Sequence, residues 1–306
     1  MTTFRLPQYR IVARWAVVLG LAMWALAVGA AENFTIVALP DTQFYSKNHP
    51  AIFQAQADWI IANRQKLNIV YVAHLGDIVE DGDTYPEQWI AATNALYRLL
   101  QAGIPLGVVP GNHDHRGGIK LYNQFFGLGT FTNRPWYGGH YGADNRNHYD
   151  LFSAGGLPFV AVYLDFDRAK IDYAPLDAWA NGVLRSNANR CAMVVTHCIL
   201  KTDGTDDPSR SPSAYASLGG NPNLFLMLCG HNHGEAYRAE TNATGVVHIV
   251  LSDYQNEKNG GNGWLRLYQF APAENVIRVK TYSPTLNQYR TGPASEFTIP
   301  YPMHRP

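Results

Sequence analysis

Short unbroken apolar runs recur along the chain, and most of them end in a polar cluster. Between the early runs lie segments with helical spacing. "FTIVALP" at 34–40 reads as a strand running into a loop at Asp41. Residues 50–67 follow, with Phe53, Ala57, Ile60 and Leu67 at helical spacing and Pro50 suited to a first turn. "IVYVAHLG" at 69–76 has the continuous apolarity of a strand buried on both faces. In "PEQWIAATNALYRLLQAG", at 86–103, Trp89, Thr93, Leu96 and Leu100 share a face and Gly103 supplies the stop. "IPLGVVP" at 104–110 is a third strand. Such a β-α-β-α-β series implies right-handed crossovers and a parallel or mixed sheet.

The middle of the chain is less regular. "RNHYDLF" and "LPFVAVYLD" read as two strands joined by Gly155-Gly156, and a helix at 175–186 precedes "CAMVVTH". A polar loop spans 202–222, before "NLFLMLCG". In the last third, "VVHIVLSDY", "WLRLYQF" and "NVIRVKTY" alternate like half-exposed antiparallel strands, and "EFTI" offers one more. The expected fold is α/β: two packed mixed β-sheets, a β-sandwich, flanked by helices, as one domain over residues 31–306.

Residues 1–30 follow a different pattern. Arg5, Arg10 and Arg14 precede an uncharged run from Trp15 to Ala31 that ends in small residues. This is the pattern of a cleaved signal peptide, so a secreted or periplasmic protein is expected. An uncleaved anchor is the alternative, because about 17 residues is the lower limit for spanning a bilayer. No Arg-Arg pair points to the twin-arginine route.

Composition narrows the partners. Lys+Arg and Asp+Glu are 24 each among 306 residues, and losing three arginines with the leader leaves a net charge of −3. Without a basic stripe, nucleic acid is not expected as a partner. Three cysteines, Cys191, Cys198 and Cys229, are too few for a disulfide framework and read as buried thiols.

Five strands end in polar clusters: "LPDTQ" with Asp41 and Gln43, "LGDIVEDG" with Asp77 and Glu80, "PGNHDH", "VVTH" with His197, and "CGHNH" with His231 and His233. The third packs four metal-competent side chains, Asn112, His113, Asp114 and His115, behind Pro110-Gly111. One Asp behind a strand is usually a turn or a helix cap. Recurrence changes this, because parallel strands direct their carboxyl ends to one edge, where α/β proteins bind ligands. A set of carboxylates, amide oxygens and imidazoles without thiolate suits Mn, Fe, Zn, Mg or Ca, and is large enough for two ions.

In order and spacing, these motifs resemble the calcineurin-like metallophosphoesterases, over about Asp41 to His233. The resemblance implies a sandwich with a dinuclear metal centre. Asp41 and His233 would bind one ion, Asp77 would bridge, and Asn112, His197 and His231 would bind the other. His113 would be the catalytic imidazole. Two positions depart from the family's pattern. Gln43 stands where His is usual, and either ligates through its amide oxygen or only hydrogen-bonds. Glu80 stands where Asp is common, within reach to orient His113.

The expected activity is hydrolysis of a small-molecule phosphate ester, leaning to diesters: activated hydroxide attacks in line and His113 protonates the leaving group. The alternative is an exported protein that binds metal and phosphate esters without turnover. In "GGHYGADNRNHYD", the phosphate-clamping candidates are Asn145, Arg146 and His148, with His140 and Arg116 as further ones. Trp136, Tyr137 and Tyr141 either line a pocket or pack. His248 reads as a sheet histidine. Asp253 and Tyr254, at the end of a late strand, are candidates to approach the site from the second sheet.

Overall fold

Apolar runs without alternation form strands only where both faces are covered, and this chain supplies cover from a second sheet and from helices. A computed structural model describes residues 1–3, 32–167 and 171–303. The expected leader lies outside them apart from its first three residues. Among the described residues no helix is long and apolar enough to cross a membrane.

Fourteen strands are found among the described residues. The first seven are β1 (Phe34–Leu39), β2 (Ile69–His74), β3 (Leu106–Val108), β4 (Tyr137–His140), β5 (His148–Ala154), β6 (Leu157–Leu164) and β7 (Cys191–Thr196). Then come β8 (Leu224–Cys229), β9 (Gly234–Asn242), β10 (Gly245–Asp253), β11 (Leu265–Ala271), β12 (Val276–Ser283), β13 (Gln288–Arg290) and β14 (Glu296–Pro300). Sheet one has the order β13-β12-β11-β1-β2-β3, with β14 also paired to β12. Sheet two runs β4-β5-β6-β7-β8-β10-β9. Both sheets are mixed. β1, β2 and β3 are mutually parallel, as are β6, β7, β8 and β10.

Aromatic rings join the two layers. Phe159 of β6 meets Phe34 of β1 and Phe270 of β11 edge-on, at 5.8 and 5.7 Å between centroids. Tyr71 stacks on Phe152 at 4.3 Å and donates to Asp150, a carboxylate buried between the sheets. Helices α1 (Gln43–Asn48), α2 (Pro50–Asn63) and α3 (Pro86–Gln101) belong to the first half. Phe53, Ile60, Trp89 and Leu96 bury the faces of α2 and α3 in the core that β1 and β2 share. Two short helices, α4 (Lys120–Phe126) and α5 (Leu128–Phe131), precede β4, and α6 (Tyr173–Ser186) packs through Leu176 and Leu184 against the other face of sheet two.

Several expectations need adjusting. The helix expected over 50–67 ends at Asn63, where turns replace it. α6 begins at Tyr173 because Asp172 caps it, accepting from the Ala174 N–H at 3.1 Å. The strand containing His248 is not half-exposed and purely antiparallel. β10 is buried from Val247 onward, parallel to β8 and antiparallel to β9. The expected loop at 202–222 contains a further short helix, α7 (Ala214–Leu218). No disulfide joins the three cysteines, and all three are buried.

Candidate metal centre

Seven parallel strands point their carboxyl ends at one edge, and the polar residues follow directly. Asp41 lies beyond β1, Asp77 beyond β2, Asn112 and His113 beyond β3, and Asp165 beyond β6. His197 follows β7, His231 and His233 follow β8, and Asp253 closes β10. Three of these residues turn sharply. Asp41, Asp77 and His231 have left-handed backbones, with φ of 42°, 49° and 71°. Such conformations are costly outside glycine and collect at functional sites.

Two glycines make the approach possible. A Cβ on Gly111 would lie 2.2 Å from Oδ1 and 2.6 Å from the backbone N of Asp77. One on Gly230 would lie 2.0 Å from Oδ2 of Asp41. Asp114, expected as metal-competent, instead braces the loops. Buried, it accepts from the N–H groups of Ile78 at 3.0 Å, Val79 at 2.9 Å and Gly111 at 2.9 Å. Burial, and then Asp77, push its carboxyl up to about 7.

The centre forms around His197. Its Nε2 is 3.2 Å from Asp77 Oδ2, 3.2 Å from His231 Nδ1 and 3.9 Å from Asp41 Oδ1. Its Nδ1 is 2.9 Å from the Leu75 carbonyl, which can only accept. Nδ1 therefore carries the proton, and the free face of Nε2 turns towards the two carboxylates and His231. Ligand atoms sharing one cation at about 2.1 Å sit about 3.0–3.5 Å apart, which matches the spacings to Asp77 and His231, while Asp41 stands wider.

Unpartnered atoms belong to residues next to this cluster. Asp41 Oδ2, Asn112 Oδ1 and Gln43 Oε1 are buried without a hydrogen-bond partner. Asn112 stands between Gly111, pressed on Asp77, and His113, whose N–H donates to Asp77 Oδ1 at 2.9 Å. Burial, followed by Asp253 and Asp77, drives the Asp41 carboxyl well above the usual range. Burial also opposes the charge on Asp77, but His197 and His113 outweigh it and hold that carboxyl low. Clustered buried carboxylates with unpaired oxygens are balanced by divalent cations, so these residues fit such ions.

His113 is held on both sides. Nδ1 is 2.8 Å from Glu80 Oε2, and Nε2 is 3.9 Å from Asp77 Oδ2. Burial disfavours its charge, but Glu80 and Asp77 together raise its basicity. Arg116, half exposed, reaches Glu80 Oε1 at 2.6 Å and the His113 Nε2 at 3.2 Å.

Gln43 touches the group, and His233 faces Asp253 beside it. The Nε2 of Gln43 donates to Asp77 Oδ2 at 3.2 Å and to Gln255 Oε1. The His233 side chain is 47% exposed, with Nε2 3.9 Å from Asp253 Oδ2 and Nδ1 against Asn256.

The expected phosphate clamp does not form. Asn145 is buried, accepting from the Tyr137 hydroxyl and donating to the Phe126 carbonyl. His148 is buried in a stack on Tyr163 at 4.6 Å, where burial lowers its basicity to about 3. The Arg146 guanidinium is taken up by Asp144 at 2.8 Å and Asp165 at 3.1 Å. Asn145 and His148 are thus structural, while Arg146 is partly exposed and held by two carboxylates. Trp136 and Tyr137 pack as well: the Trp136 indole N–H donates to the Leu106 carbonyl, and Tyr137 stacks on His148. His140 and Tyr141 are exposed. Among the clamp candidates, Arg116 is the one whose guanidinium reaches His113.

Sequence reasoning missed the end of β6. Asp165 holds His115 Nε2 at 2.7 Å, and Phe166 lies edge-on to His231 at 5.2 Å. The signal was present in "YLDFD", an apolar run closed by acids like the five noticed.

Comparison with known proteins agrees with this arrangement. A family model described as calcineurin-like phosphoesterase matches residues 34–235. The uncharacterized protein YvnB of Bacillus subtilis (strain 168) is 36% identical over 286 residues, covering 88% of this chain. The chain spans only 22% of that relative's length. A dimetal phosphatase from Danio rerio superposes with a TM-score of 0.57 at 13% identity, covering 88% of this chain and 99% of that one. GAP50, the anchor in the inner membrane complex of Plasmodium, gives 0.56 at 12% identity, covering 89% and 90%. At these identities the two structures speak for the fold alone.

Proposed function

The chain belongs to the calcineurin-like phosphoesterase family, and from that premise we propose that it hydrolyses phosphate esters with two divalent cations. One observation carries the proposal: His197, Asp77, His231 and Asp41 bring acceptor atoms together from both sheets, with unpartnered buried oxygens beside them.

Asp41, Gln43, Asp77 and His233 would hold a first ion, and Asp77, Asn112, His197 and His231 a second. Divalent ions bound there would supply Lewis acidity to a phosphoryl group and to an attacking water. The Leu75 carbonyl fixes the His197 tautomer, so its Nε2 is always presented. Glu80 keeps a proton on Nδ1 of His113, and the raised basicity lets Nε2 carry a second one to the leaving oxygen. Arg116 meets an ester oxygen beside that ring.

Diesters are the favoured substrates. A terminal dianion needs extra cations, and Arg146 is already neutralised by two carboxylates. The leader pattern of residues 1–30 supports a periplasmic or secreted setting. Mass spectrometry of exported protein starting near residue 31 tests that placement; an intact N-terminus in the exported form opposes it.

The main test compares bis-p-nitrophenyl phosphate and p-nitrophenyl phosphate with added Mn2+, in wild type, His113→Asn and Asp77→Asn. The diester is expected to be the better substrate and both variants to be nearly inactive. Equal rates in all three proteins would remove the enzymatic reading. A second reading, binding without turnover, draws on Gln43, whose amide nitrogen and not its oxygen faces Asp77. Tight ester binding with no hydrolysis under any metal favours it.

A further inference from the structure

The first ion position has one neighbour beyond the four residues assigned to it. Asp253 closes β10, is buried, and turns Oδ2 to within 3.9 Å of His233 Nε2. Gln255 fixes that carboxylate by donating its backbone N–H to Oδ1 at 2.9 Å and its amide to Oδ2 at 3.0 Å. The other end of the Gln255 amide, Oε1, accepts from Gln43, which also donates to Asp77. Polar contacts thus run from Asp77 through Gln43, Gln255 and Asp253 to His233, around one side of the position.

That chain changes the chemistry of the position. Gln43 brings a neutral amide, a weaker donor for most divalent ions than an imidazole. A carboxylate arriving from another strand of sheet two can make up both the donor and the charge. At 3.9 Å from His233 Nε2 it is too far for a hydrogen bond and stands as Asp41 does to His197, near enough to share a cation at a wide ligand angle.

We propose, resting on the two-cation reading above, that Asp253 is an additional ligand of the first cation and compensates for Gln43. The first position then holds three carboxylates, Asp41, Asp77 and Asp253, with the single imidazole of His233. The second draws two imidazoles, His197 and His231, and an amide. An oxygen-rich position prefers hard ions such as Mn2+, Mg2+ or Ca2+, whereas the second accepts Zn2+ or Fe2+ as readily. The two positions therefore differ in metal preference by construction.

The test is Mn2+ binding to chelator-treated full-length protein, followed by calorimetry and by electron paramagnetic resonance of free Mn2+. Wild type is expected to take up two equivalents. Asp253→Asn is expected to weaken one of them at least tenfold and leave the other unchanged, and His233→Asn to weaken the same one. Gln43→His added to Asp253→Asn is expected to restore it. If Asp253→Asn does not fold, Asp253→Glu, which keeps the charge but displaces it, is expected to weaken that equivalent alone. Two equivalents at wild-type affinity in the folded Asp253 variant, or no recovery in the double variant, overturn the inference. Wild type that binds no Mn2+ instead overturns the two-cation reading on which it rests.

Discussion

The carboxylate of Glu80 lies 2.8 Å from Nδ1 of His113, on the opposite side of the imidazole from Asp77, whose Oδ2 is 3.9 Å from Nε2. One carboxylate holds the ring while the other edge faces Asp77. With His113 as the acid of the proposed reaction, activity is present while it is protonated and is lost as pH rises through its pKa. Glu80 raises that pKa. In Glu80→Gln the alkaline limb of the kcat/KM profile should therefore move to lower pH, with metal content unchanged. His113→Asn should lower kcat by about 10²–10⁴. An unshifted limb in Glu80→Gln would show that the pair does not control the proton.

Arg116 and Arg146 should separate cleanly. Arg116→Ala removes the guanidinium that reaches His113 and should raise KM for a diester about tenfold, roughly the worth of one charge-assisted hydrogen bond. Arg146→Ala breaks contacts with Asp144 and Asp165 and should lower Tm while kcat/KM stays within about twofold. Steady-state kinetics and thermal melts on the two variants check both outcomes.

Gly111→Ala should damage the centre without touching a ligand. The added methyl would overlap Asp77 Oδ1 and, 2.6 Å away, its backbone N, which cannot swing aside. A stability loss of about 1–3 kcal/mol is expected from overpacking, together with weakened Mn2+ binding. Urea unfolding with and without Mn2+ measures both quantities.

Acid should destabilise the fold through histidines buried in the neutral form. His74 and His148 have pKa values lowered by burial to about 3, against about 6.5 in the unfolded chain. Below pH 6.5 the unfolded chain binds protons that the folded chain refuses. Stability present above that pH is lost progressively as pH falls towards 3, at up to about 1.4 kcal/mol per pH unit for each histidine. Denaturant midpoints between pH 4 and 7 should fall less steeply in His148→Phe than in wild type.

Chelation should abolish hydrolysis and lower Tm by several degrees, and Mn2+ should restore both. Ions bound at a hundred times their Kd add about 2.7 kcal/mol to the folded state. Asp77→Asn, lacking the shared carboxylate, should melt at the same temperature with and without Mn2+.

Much of the architecture was legible because unbroken apolar runs and polar ends obey strand geometry. Asp41, Asp77, Asn112 and His231 stood out because a run of buried strand, often a glycine, and then a donor recur together. Asn145 and His148 misled because the composition of a clamp loop and of a tight buried turn is the same. Only packing, here the stack on Tyr163, separates them. Asp165 was passed over because one acid behind a strand resembles an ordinary turn, and Asp253 carried little weight for the same reason. Asp114 could not be told from a ligand without knowing that three backbone N–H groups converge on it.

Asp41, Asp77 and Asn112 rise from one layer of the sandwich, and His197, His231 and His233 from the other. A cation seated among them would therefore rivet two walls that otherwise adhere through apolar contacts and a few buried hydrogen bonds such as Tyr71 to Asp150. Stripping it should loosen the lip of the seam while the interior stays closed, so the loaded and bare forms share a fold and differ in how readily the mouth breathes.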